Sequence, residues 1–231
     1  MDNLNNILFI NTGGGIGDAL TSVPTLNYIN DNLKPKNLYY FSTDLGNFWF
    51  DTKLQEYKPD NLITVKNFPE HFGFRDHHMK VSKDVIKNFE FDEFDLIIDN
   101  QTRFKNTLIY RKIPHKYYVS PCLNYLMSKP ITFMRKREIF ANRIIDYFNK
   151  IKKLNIKPNY NITIPNNFIN EAKKLIPDEN YIGFSITAGH PTRVKEINYD
   201  EIVKVANYFS DKFIPTFFIE NKFQELIAKI K

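Results

Sequence analysis

The chain has 231 residues, more than one average domain and fewer than two, so a complete domain followed by part of a second is the expected arrangement. Apolar residues at 42% and charged residues at 25% exclude an intrinsically disordered chain; no apolar stretch approaches bilayer-spanning length, so any membrane contact is expected to be peripheral. A balance of 32 Lys and Arg against 26 Asp and Glu, net +6, favours anionic partners, while a single cysteine, Cys122, excludes an internal disulfide and fits a reducing, cytoplasmic compartment.

The first apolar run, Ile7-Leu8-Phe9-Ile10, is too short for a secretory signal and follows Asp2 rather than a basic patch. It meets Gly13-Gly14-Gly15 and Gly17, the pattern of a buried parallel strand entering a glycine turn. Ile16, Ala19, Leu20, Val23, Leu26 and Ile29 then recur at steps of three and four, predicting a helix with one face on a sheet. Pro24 inside that stripe predicts a kink or a late helix start. Further strands are expected at 38–41, 62–65, 96–98 and 117–119, with a helical stripe on Val81, Val85, Ile86 and Phe89. Strands alternating with helices predict a Rossmann-like parallel sheet covered on both faces.

A long helical pattern spans 133–154 and carries Arg135-Lys136-Arg137, Lys150, Lys152 and Lys153. Such a basic helix suits phosphorylated lipid or nucleic acid, but its apolar positions Ile139, Ile144, Ile145, Phe148 and Ile151 favour packing on its own domain. Turn residues at Lys157-Pro158-Asn159 and Pro165-Asn166-Asn167 set the expected boundary between a first domain, 1–165, and a second, 166–231. The second repeats the α/β rhythm: a helix on Phe168, Ala172, Leu175 and Ile176, a strand at 181–186, and a helix on Tyr199, Ile202, Val203, Ala206 and Phe209. Asn198 and Glu201 are spaced as a capping box for that helix. A strand at 213–219 and a helical stripe on Phe223, Leu226, Ile227 and Ile230 complete the pattern.

The segment Asn11-Thr12-Gly13-Gly14-Gly15-Ile16-Gly17-Asp18 occupies the strand-to-helix turn where open α/β sheets bind ligands. A dinucleotide fingerprint would need glycine at position 18, and Asp18 would repel a pyrophosphate; the Gly-Lys-Ser/Thr of a phosphate-binding P-loop is absent too. Asp18 therefore reads either as a general base beside a bound substrate or as a cap at the positive end of the helix dipole. Gly14, Gly15 and Gly17 would let that substrate approach the backbone.

Together, Ile7 to Ile10, the glycine turn, Ile16-Gly17-Asp18 and Leu20-Thr21-Ser22-Val23-Pro24-Thr25-Leu26 resemble the opening of the lipopolysaccharide heptosyltransferases, glycosyltransferase family 9. Phe94-Asp95-Leu96-Ile97-Ile98-Asp99-Asn100-Gln101 with Thr107-Leu108 is similar to that family's central strand and following helix. Gly183-Phe184-Ser185-Ile186-Thr187, Lys195 and Tyr199-Asp200-Glu201-Ile202 are similar to the start of its nucleotide-sugar domain. The resemblance implies a GT-B fold, with a Rossmann-like acceptor domain followed by a second, here incomplete. It implies inverting, metal-independent transfer of a heptose or similar sugar from a nucleotide sugar, ADP-sugar favoured, to a saccharide or lipid-linked acceptor. Asp18 is then the catalytic base, Thr187 and Lys195 meet the departing diphosphate, and Glu220 contacts the nucleotide. No cofactor, metal or nucleic acid is implied; the expected location is cytoplasmic, with peripheral contact at the inner face of the inner membrane.

The sequence also departs from that family. Glu196-Ile197-Asn198 stands where it has Trp-Pro, and its later Asp-Thr-Gly and His motif has no counterpart before Lys231, so a C-terminally truncated chain is expected. A non-catalytic or degenerate nucleotide- or sugar-binding protein is the alternative, and an NAD-dependent oxidoreductase a more distant one. His71, His77 and His78 near Asp76 fit no recognised zinc spacing and read as an exposed loop. Cys122 reads as inert.

Overall fold

A computed structural model of the chain describes residues 4–64, 90–135, 139, 141–177, 180–186, 198–220 and 227–228. The chain forms two compact units, Met1–Thr163 and Ile164–Lys231.

The first unit is built on five parallel strands: β1 (Asn6–Ile10), β2 (Asn37–Ser42), β3 (Asn61–Thr64), β4 (Phe94–Asp99) and β5 (His115–Val119). Their order is β3-β2-β1-β4-β5, so the chain reverses its direction of travel across the sheet between β1 and β4. Ile10 lies opposite both Phe41 and Asp99, which puts the carboxyl ends of the three central strands level. The continuous apolar run of β1 is explained by two-sided burial. Ile7 and Phe9 enter one core with Ala19, Leu26, Tyr40 and Phe148; Leu8 and Ile10 enter the other with Phe41, Ile97, Ile109 and Tyr118.

Helix α1 (Ile16–Tyr28) buries Ala19, Val23 and Leu26 as its periodicity predicts, but Ile16 is exposed. Pro24 does not delay the start of the helix. The helix begins at Ile16 and carries the buried proline inside it, although the ring denies the Leu20 carbonyl its helical partner. The helix runs on into a π-helical turn, Ile29–Leu33, closed by the Lys34 N–H on Ile29 O at 2.9 Å. Helices α2 (Asp44–Thr52) and α3 (Phe104–Tyr110) follow β2 and β4.

The helix expected at 133–154 is shorter. Helix α4 spans Asn142–Lys152, and residues 131–135 are non-helical. Tyr147 Oη donates to Pro130 O at 2.7 Å and Lys150 Nζ to Phe133 O at 2.6 Å, so that segment runs beside the helix instead of extending it. Ile144, Ile145, Tyr147 and Phe148 are buried, as packing requires, whereas Ile139 is exposed. The helical stripe at 81–89 and the histidines at 71, 77 and 78 lie outside the described residues.

In the second unit, α5 (Asn166–Leu175) precedes β6 (Tyr181–Ser185), and α6 (Tyr199–Phe209) precedes β7 (Ile214–Phe218), which pairs parallel with β6. Phe184 and Phe217 stack across the pair at 5.1 Å. Asn198 caps α6 by accepting from the Glu201 N–H, half of the expected box. Among the described residues no helix is long and apolar enough to cross a membrane.

Candidate active site at the carboxyl ends of β1 and β4

Open α/β sheets bind ligands outside the carboxyl ends of their strands where the strand order reverses, here between β1 and β4. Two segments meet at that point, the glycine turn after β1 and Asp99-Asn100-Gln101 at the end of β4.

Asn11 anchors the turn. It is buried; its N–H donates to Phe41 O at 3.0 Å, its carbonyl accepts from Ser42 Oγ at 2.6 Å, and its Nδ2 donates to Asp18 O at 2.9 Å and to Tyr40 Oη at 3.1 Å. No described glycine has a positive φ, so left-handed backbone is not why this turn needs glycines. Close approach is. A Cβ on Gly13 would fall 2.3 Å from Asp18 Cγ, and one on Gly46 would fall 2.9 Å from Gly13 O and 2.0 Å from Ser42 Oγ. Gly14 O accepts the Trp49 indole N–H at 3.0 Å, which ties α2 to the turn. Among the described glycines, Gly17 alone has open space around its Cβ position.

Asp18 is exposed in the first turn of α1. Its Oδ2 accepts from the Gly15 N–H at 3.2 Å, the half of a capping box that glycine at the N-cap permits. Oδ1 has no partner among the described residues, so the helix cap holds the carboxyl group by one oxygen and leaves the other to solvent. Capping and an open acceptor coexist in one side chain.

The β4 segment adds residues that sequence reasoning did not assign. Asp99 is fully buried; its Oδ2 accepts from Thr107 Oγ1 at 2.7 Å and Tyr118 Oη at 2.8 Å, and its Oδ1 from the Gln101 N–H at 2.9 Å. Burial pushes its carboxyl up to about 6 against the pull of these hydrogen bonds. Ser120 Oγ reaches Gln101 O at 3.4 Å, so one network binds β4, α3 and the end of β5. Next to it Asn100 is buried, with neither amide atom hydrogen-bonded among the described residues. The signal for Asp99 was in the sequence, an acid closing the apolar run Leu96-Ile97-Ile98; that for Trp49 was not, because its bond to Gly14 is a tertiary contact.

Asp18, Gly14, Gly15 and Gly17 thus share one turn. Thr187 and Lys195 lie outside the described residues. Glu220 is half-buried just beyond β7 in the second unit. At the opposite, amino edge of the first sheet an open depression of about 490 Å³ is lined by Asn5, Asn6, Phe91, Asp95 and Lys116. Both Asp95 oxygens are already engaged there, by the Asn5 and Asn6 N–H groups and by Lys116 Nζ, which makes that carboxylate a fastener of the β1 start.

No family model matches the chain, and no curated protein matches it in sequence. Solved structures do share its fold. The glycosyl transferase family 9 structure from Veillonella parvula aligns with a TM-score of 0.57 at 18% identity, over 100% of this chain and 67% of the other. The E. coli heptosyltransferase WaaC, solved with ADP-2-deoxy-2-fluoro heptose, gives 0.59 at 12% identity, over 97% and 72%. The UDP-GlcNAc 2-epimerase from Methanocaldococcus jannaschii gives 0.55 at 12%, over 97% and 68%. At these identities the likeness establishes the fold: α/β, of GT-B type, with a Rossmann-like parallel sheet.

Proposed function

We propose that the chain is a glycosyltransferase that moves a heptose or similar sugar from a nucleotide sugar, ADP-linked by preference, to a hydroxyl of a saccharide or lipid-linked saccharide. One observation carries the reading: an exposed carboxylate, Asp18, held by a single oxygen at the ligand-binding end of a GT-B-type sheet. The acceptor hydroxyl gives its proton to Asp18 Oδ1 as its oxygen attacks the anomeric carbon from the face opposite the leaving group. The bond from that carbon to the diphosphate breaks, the diphosphate leaves with the electron pair, and the configuration inverts. Lys195 and Thr187 offset the charge growing on the diphosphate, and Glu220 holds the nucleotide. The first unit receives the acceptor and the second the donor. No metal or nucleic acid takes part, and a lipid-linked acceptor brings the protein to the inner face of the inner membrane from the cytoplasm.

The experiment measures ADP release from ADP-heptose with and without a saccharide acceptor. Asp18→Asn is expected to slow acceptor-dependent release by about 10²–10⁴-fold, the usual worth of a general base, while calorimetry shows unchanged ADP binding. Full activity in that variant rejects the base assignment. Nucleotide-sugar binding without turnover assigns the chain to the non-catalytic class, and conversion of a nucleotide sugar to its epimer without any acceptor assigns it to the chemistry of the epimerase that shares its fold.

A further inference from the structure

Three large apolar side chains on the helices that flank the glycine turn face solvent. Ile16 opens α1 and is 41% exposed; Leu45 and Phe48, one helical turn apart on α2, are 53% and 47% exposed. Helix α2 is fixed to the turn through Leu45 and Trp49. A Cβ on Gly14 would lie 3.8 Å from Leu45 Cβ and Cδ2. Phe48 stands edge-on to Trp49, with ring centroids 5.4 Å apart at 71°, and Trp49 donates its indole N–H to Gly14 O. The same helix buries Phe50 on its inner face, so the outward pair is not a shortfall of core packing. Apolar surface left in water costs about 25 cal/mol per Å², which a ligand covering these side chains would recover.

The surrounding charge narrows the occupant. Asp44 heads α2 and Asp18 lies in the first turn of α1, both exposed, while at the far end of α2 Asp51 is neutralised by Lys58 at 2.8 Å. A phosphate or carboxylate arriving at this face meets two carboxylates, whereas uncharged hydroxyls donate to them. A pyranose supplies both requirements, an apolar C–H face and a rim of hydroxyl donors. We infer that Leu45 and Phe48 form an acceptor subsite that stacks the apolar face of an uncharged sugar ring beside Asp18, an inference that rests on the sugar-transfer reading.

The test is saturation-transfer NMR on the full chain, with methyl β-D-galactopyranoside, methyl β-D-glucopyranoside and methyl α-D-mannopyranoside as neutral probes and galacturonate as the anionic one. Irradiating the aromatic protons is expected to label the ring C–H protons of at least one neutral glycoside. Phe48→Ser and Leu45→Ser, checked for intact folding by circular dichroism, should weaken that binding by about 3–10-fold, the range of an aromatic contact. Galacturonate should bind more weakly than galactoside. No labelling of any neutral glycoside, equal labelling in Phe48→Ser, or tighter binding of galacturonate overturns the subsite. Concentration-dependent dimerisation abolished by Phe48→Ser, with no glycoside signal, assigns the patch to a second copy and overturns it as well. The readout needs no turnover: an inactive chain that stacks glycosides on Phe48 sinks sugar transfer and leaves the subsite, and an active chain without this signal does the reverse.

Discussion

At Gly13 an added methyl group falls 2.3–2.5 Å from the Asp18 side chain, and at Gly17 it meets nothing within 4 Å. The two glycines, four residues apart, therefore answer alanine in opposite ways. Gly13→Ala drives the Asp18 carboxyl group off the Gly15 N–H and is expected to cost about 1–3 kcal/mol, the range for overpacking. Gly17→Ala lies within α1 and is expected to gain about 0.5–1 kcal/mol, because alanine loses less backbone freedom there. Urea denaturation of both variants measures the contrast, and equal midpoints would show that the turn relaxes around Gly13. If Gly17 is also where a substrate nears the backbone, its alanine variant is more stable yet binds acceptor less well. The sequence showed a glycine-rich turn ending in an acid, which pointed to the candidate site. It did not show which glycines serve packing, since Gly13 is constrained by a carboxyl group five residues on and Gly46, on α2, by Ser42 Oγ and by the Gly13 carbonyl of the turn. Asp18 itself was legible as base or cap; the geometry shows the cap and leaves the second oxygen open, as the proposed base requires.

Among the elements, β4, α3 and β5 are joined through the buried Asp99 carboxyl, and that junction carries a pH signature. Its folded value, about 6, stands above the ordinary carboxylate value of 3.8 because burial disfavours the charged form. Between those values the folded chain binds more protons than the unfolded one, so this group destabilises as pH rises from about 4 to 6 and its cost is complete above that. The gap corresponds to on the order of 3 kcal/mol. His115, held below its ordinary value by burial first of all, acts the other way as pH falls, so the group must be isolated by comparison. Unfolding free energies at pH 7 and pH 5 should show Asp99→Asn losing the gain on acidification that the wild type draws from this site. Identical pH slopes in the two proteins would mean that Asp99 titrates normally. Strands were the most legible elements, because two-sided burial writes them as unbroken apolar runs such as Leu96-Ile97-Ile98. Helix starts were the least. Nothing local in the sequence before α4 shows that the carbonyls of Pro130 and Phe133 accept from Tyr147 and Lys150 and so hold residues 130–133 beside α4.

The molecule as a whole divides its burial unevenly. The first unit closes two cores, one on each face of a five-stranded sheet, with Phe9, Tyr40, Phe50, Tyr118, Tyr147 and Phe148 fully enclosed. In the second, the hydrophobic side chains buried among the described residues are Ile186 and Ala206, while Leu175, Val205, Tyr208 and Phe218 are exposed on its helices and strands. A two-stranded sheet is marginal in water without a further buried face. Expressed alone, residues 1–163 are therefore expected to unfold in one cooperative urea transition with a slope of about 1–3 kcal/mol/M. Residues 164–231 alone should show no such transition and should give poorly dispersed amide resonances. Cooperative unfolding of the isolated 164–231 segment would mean that β6, β7 and their helices bury more than the described side chains account for. Failure of 1–163 to fold would mean that its two cores depend on the rest of the chain, and Asp18 could not then be studied on the first unit alone. If the expected result holds, glycoside stacking on Phe48 can be measured on 1–163 by itself, since every residue of that subsite belongs to the first unit.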